Sequence, residues 1–178
     1  MGCDIHAVID YEDGRDQPWG FADGEFWFPR DYGLFAALAG VRTGDKKGPL
    51  HPPRGLPPRF STAVVKCFFQ HVVEEGENIW PWPKGIDVVS RSKAEEWMQE
   101  GLSFFVEGPA GLRGRFVSDP ERHTPSWLNL PEIEAALTHA GLRLAEQSPQ
   151  FRAAVAALKE LSRQYGTSKV RLVFWFDG

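Results

Sequence analysis

Two short segments carry the side chains most suited to chemistry. The first is Cys3-Asp4-Ile5-His6, and the second is Arg122-His123-Thr124-Pro125-Ser126-Trp127. Asp4 and His6 are two residues apart. On a strand, a rise of about 3.3 Å per residue sets their bases roughly 6–7 Å apart on one face. A carboxylate and an imidazole so placed can share a divalent metal or exchange a proton. His123 adds a second imidazole, and Thr124 and Ser126 add hydroxyls. Asp4, His6 and His123 are therefore the candidate metal ligands, and a divalent metal is the candidate cofactor. The competing reading of each is ordinary: a hydrogen-bonded histidine on a half-buried strand, and a loop whose hydroxyls bond local backbone while Trp127 fills the core.

Arginines supply the opposite charge. Arg30 and Arg54 each follow a proline, and Gly55 beside Arg54 lets backbone approach a ligand closely. A guanidinium there suits phosphate or carboxylate. The expected pocket has Asp4, His6, His123 and Asp177 as its polar floor. Arg30, Tyr32 and Arg54 form its mouth, Ser126 donates a hydroxyl, and Trp127 is its wall. No GxSxG elbow, phosphate-cradling glycine loop, zinc-finger spacing or HExxH is present.

These residues need a scaffold. Residues 3–11 alternate as a strand, with Cys3, Ile5, Ala7 and Ile9 on one face and Asp4, His6, Val8 and Asp10 on the other. The aromatic run 21–28 predicts an antiparallel partner. Asp31 caps a short helix over 32–39 that stops at Gly40. Residues 42–59 are rich in proline and glycine and read as a long surface loop. Residues 62–73 are β-branched and aromatic and read as a strand, with a short amphipathic helix as the rival. The link 79–83, Ile-Trp-Pro-Trp-Pro, leads to a strand at 86–89. Ser92 and Glu95 have capping-box spacing for a helix over 93–100, and 102–107 reads as a strand. Asn129 with Glu132 caps a helix over 130–140, and Ser148-Pro149 opens a longer one ended by Gly166. The run from Val170, VRLVFWFDG, is apolar on both faces until Asp177 and reads as a central strand. The sum is one α+β domain over 1–178, a mainly antiparallel sheet with the N- and C-terminal strands adjacent and helices packed on it.

Composition narrows the function. With 178 residues the chain can bury a sizeable core, and its net charge of −4 argues against binding along a nucleic-acid backbone. Seven Trp and thirteen Phe pack a core or line a cavity for a flat ligand. Two cysteines outside any CxxC pair indicate reduced thiols, and no apolar stretch has the length of a membrane span. The N-terminus lacks a basic region followed by an apolar core, and His6 replaces the hydroxyl of a myristoylation signal. A cytoplasmic protein with no membrane partner is expected.

The same motifs carry a resemblance. The chain resembles a family of small uncharacterised proteins from actinobacterial and phage genomes that begin MGCDIH. The matching elements are Pro29-Arg30-Asp31-Tyr32-Gly33-Leu34-Phe35, Pro52-Pro53-Arg54-Gly55-Leu56-Pro57, His123-Thr124-Pro125-Ser126-Trp127-Leu128 and Phe174-Trp175-Phe176-Asp177. It departs from that pattern at Asp31 and Gly178, where asparagine is expected. The phage association implies a protein that sequesters or degrades a nucleotide signal. The expected function is therefore binding of a nucleotide or other phosphate-bearing small molecule. A metal-dependent hydrolase using the Asp/His site is one alternative, and a structural or interaction module using segment 79–83 is another.

Overall fold

The computed structural model describes residues 2–21, 24–75 and 85–178. The link 79–83 lies outside them. Among the described residues two sheets form, mainly antiparallel, together with α-helices, which is an α+β architecture. The first sheet joins β1 (Asp4–Tyr11), β2 (Trp19–Gly20), β3 (Phe26–Phe28), β8 (Arg122–Leu128) and β9 (Val170–Asp177). Its order is β2-β1-β9-β8, with β3 also paired to β1. The strands nearest the two ends of the sequence are thus neighbours, in register from Asp4↔Asp177 to Tyr11↔Val170. The second sheet has the order β5-β4-β7-β6, formed by Asp87–Ser90, Phe69–Val73, Arg115–Ser118 and Phe105–Glu107 respectively. Only β4 and β5 in it run parallel.

Strand alternation gives the first sheet two buried faces. Ile5, Ala7, Ile9, Leu172, Phe174 and Phe176 pack against α1 (Tyr32–Ala39), α4 (Leu130–Ala140) and α5 (Pro149–Tyr165). Val8, Val173 and Trp175 face the other way, onto α2 (Thr62–Phe68) and the second sheet. Covering on both sides explains why 172–176 is apolar without a break. A smaller core of Val89, Ala94 and Val117 joins the second sheet to α3 (Arg91–Gln99).

The caps set the helix limits. Asp31 Oδ1 accepts from the Gly33 and Leu34 amides, and Gly40 ends α1 at φ 72°, a left-handed value that suits glycine. Asn129 and Glu132 form the reciprocal capping box. At α3 the cap is Ser90 rather than Ser92, because the Ser90 hydroxyl takes the Lys93 amide while Ser92 turns to Glu75.

Residues 62–73 divide instead of forming one strand. Ser61 caps α2 through the Val64 amide, and burial of Ala63, Val64, Val65 and Phe68 overrides their β propensity. Only 69–73 pair as a strand. Residues 42–59 contain neither helix nor strand. Among the described residues no helix is long and apolar enough to cross a membrane.

Candidate functional site

Register decides which side chains meet. Directly paired residues point to the same face, and consecutive residues alternate. Asp4, Asp177 and Arg122 form one row across β1, β9 and β8. The next row, Ile5, Phe176 and His123, faces the helices. The row after that, Trp27, His6 and Trp175, returns to the face of Asp4. Asp4, His6 and Asp177 are therefore brought together as expected. His123 is not: it occupies the opposite face.

The His6 ring, whose side chain is 12 % exposed, lies at the centre of a charge network. Its Nε2 is 2.9 Å from Asp177 Oδ2 and 3.0 Å from Arg122 Nη1, and Arg122 also reaches Asp177 at 3.3 Å. Nδ1 is 2.8 Å from Glu25 Oε1, an ion-pair distance out of line with the ring N–H. On its apolar side the ring lies parallel to Trp175, at 6.4 Å between centroids. Asp177 is held by the Asp4 amide at 2.9 Å. Arg30 clasps the Asp4 carboxylate from Nε at 2.6 Å and Nη2 at 3.1 Å.

The electrostatics follow. Burial opposes a charge on His6, but Glu25 and Asp177 outweigh it and raise the imidazole above its ordinary value of 6.5. Burial opposes ionisation of Asp177, yet His6, the Asp4 amide and Arg122 hold its carboxyl below the usual range. Arg30 does the same for Asp4. One imidazole nitrogen thus has an acceptor and a donor within reach. Protonated, Nε2 donates to Asp177; bare, it accepts from Arg122. Such a group can exchange a proton without moving. The row opens into a cavity of about 350 Å³ lined by Gly2, Asp4, Arg30, Glu121, Asp177 and Gly178. Its backbone floor is tight. A Cβ on Gly178 would lie 2.2 Å from the Gly2 carbonyl oxygen, and Gly178 has φ 127°.

His123 sits on β8, not in a loop. An irregularity between His123 and Ser126, with Thr124 at φ 49°, lets the strand carry Pro125. The ring stacks on Phe176 at 6.0 Å, and its Nδ1 meets Thr124 Oγ1 at 2.9 Å. Burial lowers its pKa, and Asp177 only partly offsets this. The expected metal set of Asp4, His6 and His123 is divided by the sheet itself. Among the described residues no group of three or more His, Cys, Asp or Glu is placed to hold a metal ion.

The expected mouth divides too. Arg54 lies at the outer edge of the sheet, along β8. Its guanidinium clamps Glu132 at 2.6 and 3.2 Å and covers the Trp127 ring at 4.7 Å. Its amide donates to the Ser126 hydroxyl at 3.2 Å, and Ser126 is buried. Ser126, Trp127 and Arg54 thus join loop, strand and helix cap. Arg171 lies over Trp127 as well, at 5.8 Å. Three strand spacings of about 4.8 Å separate the β3 and β8 edges, so Arg30 and Arg54 do not converge. Tyr32 opens α1 with its ring edge-on to Phe35.

Sequence reasoning missed Glu25, Trp27 and Glu121, and gave Arg122 no role. The alternation Glu25-Phe26-Trp27-Phe28 carried the signal for the first two. Phe26 and Phe28 pack inward, which turns Glu25 and Trp27 to the His6 face. Compared with known proteins, the chain matches no family model, no curated protein and no solved structure.

Proposed function

We propose that the protein binds a small phosphate-bearing molecule of nucleotide type in the cavity at the end of the first sheet, and that His6 exchanges a proton with it. The observation that carries this reading is the imidazole set between Asp177 and Glu25, with Arg122 on the same nitrogen, beside a 350 Å³ opening. Cavities of this size suit small molecules. Perturbed ionisable groups beside a cleft mark functional sites.

Arg30 replaces Arg54 as the anion-holding group. Its side chain is 54 % exposed at the rim, where it holds Asp4 through Nε and Nη2. A ligand phosphate can use the guanidinium N–H groups that Asp4 does not take. Arg54 holds Glu132 in the same two-nitrogen way but is only 28 % exposed and lies over Trp127. A protonated His6 and Arg122 offset the carboxylates of Asp177 and Glu25, Arg30 offsets Asp4, and Glu121 leaves one carboxylate over at the cavity wall.

The metal-hydrolase alternative, built on Asp4, His6 and His123, finds no group of three ligands placed for a metal among the described residues. It is the weaker reading, since arginine already holds Asp4 and Asp177, and His123 faces away.

Calorimetric titration with adenosine 5′-monophosphate tests the proposal. Wild type is expected to bind. Arg30→Ala is expected to weaken binding by roughly tenfold to a hundredfold, the loss of a hydrogen bond to a charged group. Wild-type protein that binds neither the nucleotide nor inorganic phosphate would reduce the His6 network to a structural ion-pair cluster.

A further inference from the structure

We propose that Trp27 is the platform on which this site stacks the flat ring of its ligand, which makes a nucleobase or similar aromatic heterocycle the preferred ligand class; the inference rests on the small-molecule reading above. The expected wall was Trp127, but Arg54 and Arg171 already cover that ring. The other described tryptophans are similarly occupied. Arg15 lies 5.4 Å over Trp19, Lys93 6.0 Å over Trp97, and Trp175 is buried between His6 and Phe68. Trp27 alone, among the described residues, has no cation or ring against it, and it is 52 % exposed.

Its position gives that exposure a meaning. Trp27 pairs directly with His6 across β1 and β3, so both side chains project from the same face, with Cβ atoms about 4.5–5.5 Å apart. Inward-facing Phe26 and Phe28 fix β3 on the core, and the outward orientation of Trp27 follows from the pleat. Asp4, with Arg30 bound to it, lies two residues from His6, about 6–7 Å along the strand. Trp27 and His6 stand beside the cavity rather than in its lining, so a ring lying on Trp27 neighbours the imidazole first and meets the cavity mouth at Asp4 and Arg30 next. That sequence of ring, polar middle and anion is the order of groups in a nucleoside monophosphate. An indole face accepts any base, so the platform selects aromatic from non-aromatic ligands rather than one base from another.

The test compares adenosine 5′-monophosphate with ribose 5-phosphate, which has the same anion and sugar without the base. Both are titrated calorimetrically into wild type, Trp27→Ala and Trp27→Phe. Wild type is expected to prefer the nucleotide by roughly tenfold to a hundredfold, the usual worth of one stacked base. Trp27→Ala should lose that preference while keeping its affinity for ribose 5-phosphate, which also verifies its fold. Trp27→Phe should recover most of the preference. Equal wild-type affinity for the two ligands would overturn the platform and leave the anion site standing. So would a preference that survives in Trp27→Ala. Wild-type protein that binds neither ligand would overturn both readings.

Discussion

His6 and His123 occupy adjacent rows of one sheet, yet the sheet places them in opposed environments. His6 projects among Glu25, Asp177 and Arg122, and its pKa rises. His123 projects onto Phe176 toward the helical core, and burial lowers its pKa. The backing residues Trp175 and Phe176 are consecutive on β9. A single step along a strand thus decides whether an imidazole meets carboxylates that raise its pKa or a buried aromatic surrounding that lowers it. Proximity in the sheet is a poor guide to a shared site unless parity is counted as well.

The largest break in this comparison comes from the His123 side. Phe176→Ala is expected to cost about 3–5 kcal/mol in denaturant unfolding, as for other buried phenylalanines. It should also return the His123 pKa toward its ordinary value while leaving His6 raised. Imidazole titration followed by NMR would read both, and a matched fall at His6 would contradict the separation of the two faces.

Asp177→Asn acts on the other side. It keeps an oxygen for the Asp4 amide but removes the charge that His6 and Arg122 meet. The expected loss is about 1.5–3 kcal/mol, with a larger drop in the His6 pKa than in that of His123. An unchanged His6 titration would show that Glu25 alone governs it.

The pH dependence of stability should have opposite signs for the two histidines. The His6 pKa is above 6.5 in the fold, so its contribution is complete below pH 6.5 and is lost as pH rises through the raised value. The His123 pKa is below 6.5, so its penalty is absent above pH 6.5 and grows as pH falls through the lowered value. His6→Gln should therefore destabilise more at pH 5 than at pH 9, and His123→Gln should do the reverse. Asp10, pushed by burial up to about 6, makes the fold less stable as pH rises from 3.8 to that value. It is common to both variants and cancels in the difference. Denaturant midpoints at the two pH values provide the measurement.

The smallest effect is expected at the rim. Arg30→Ala removes an exposed pair and should leave the denaturant midpoint nearly unchanged, the smallest shift of the series. A larger loss would mean that Arg30 braces the strand ends rather than waiting for a ligand.

Much of the fold was legible because local signals agreed with it. Asp31, Gly40, Asn129 and Glu132 cap the helices they were expected to cap, and the two-sided apolar run from Val170 is a central strand. Asp4, His6 and Asp177 meet because period-two alternation and pairing of β1 with β9 follow from their flanking residues. The errors arose where the decisive contact was distant. Ser61 capping, anchored by the buried Asp10 carboxylate at 3.0 Å, turned 62–68 into a helix. The irregular strand around Thr124 hid the parity of His123. Arg54 looked like a ligand group because Glu132, 78 residues away, was read only as half of a capping box.

The position of β9 between β1 and β8 also constrains the order of folding. The Asp4 amide reaches a carboxylate 173 residues along the chain. Contacts of such separation require closure of a long loop before they return any stabilisation, and folding rates fall accordingly. During synthesis β1 is made long before β9 and must wait for this central partner. Until then the apolar row Ile5, Ala7 and Ile9 stands on a strand whose β9 edge is unpaired, a hazard for intermolecular pairing.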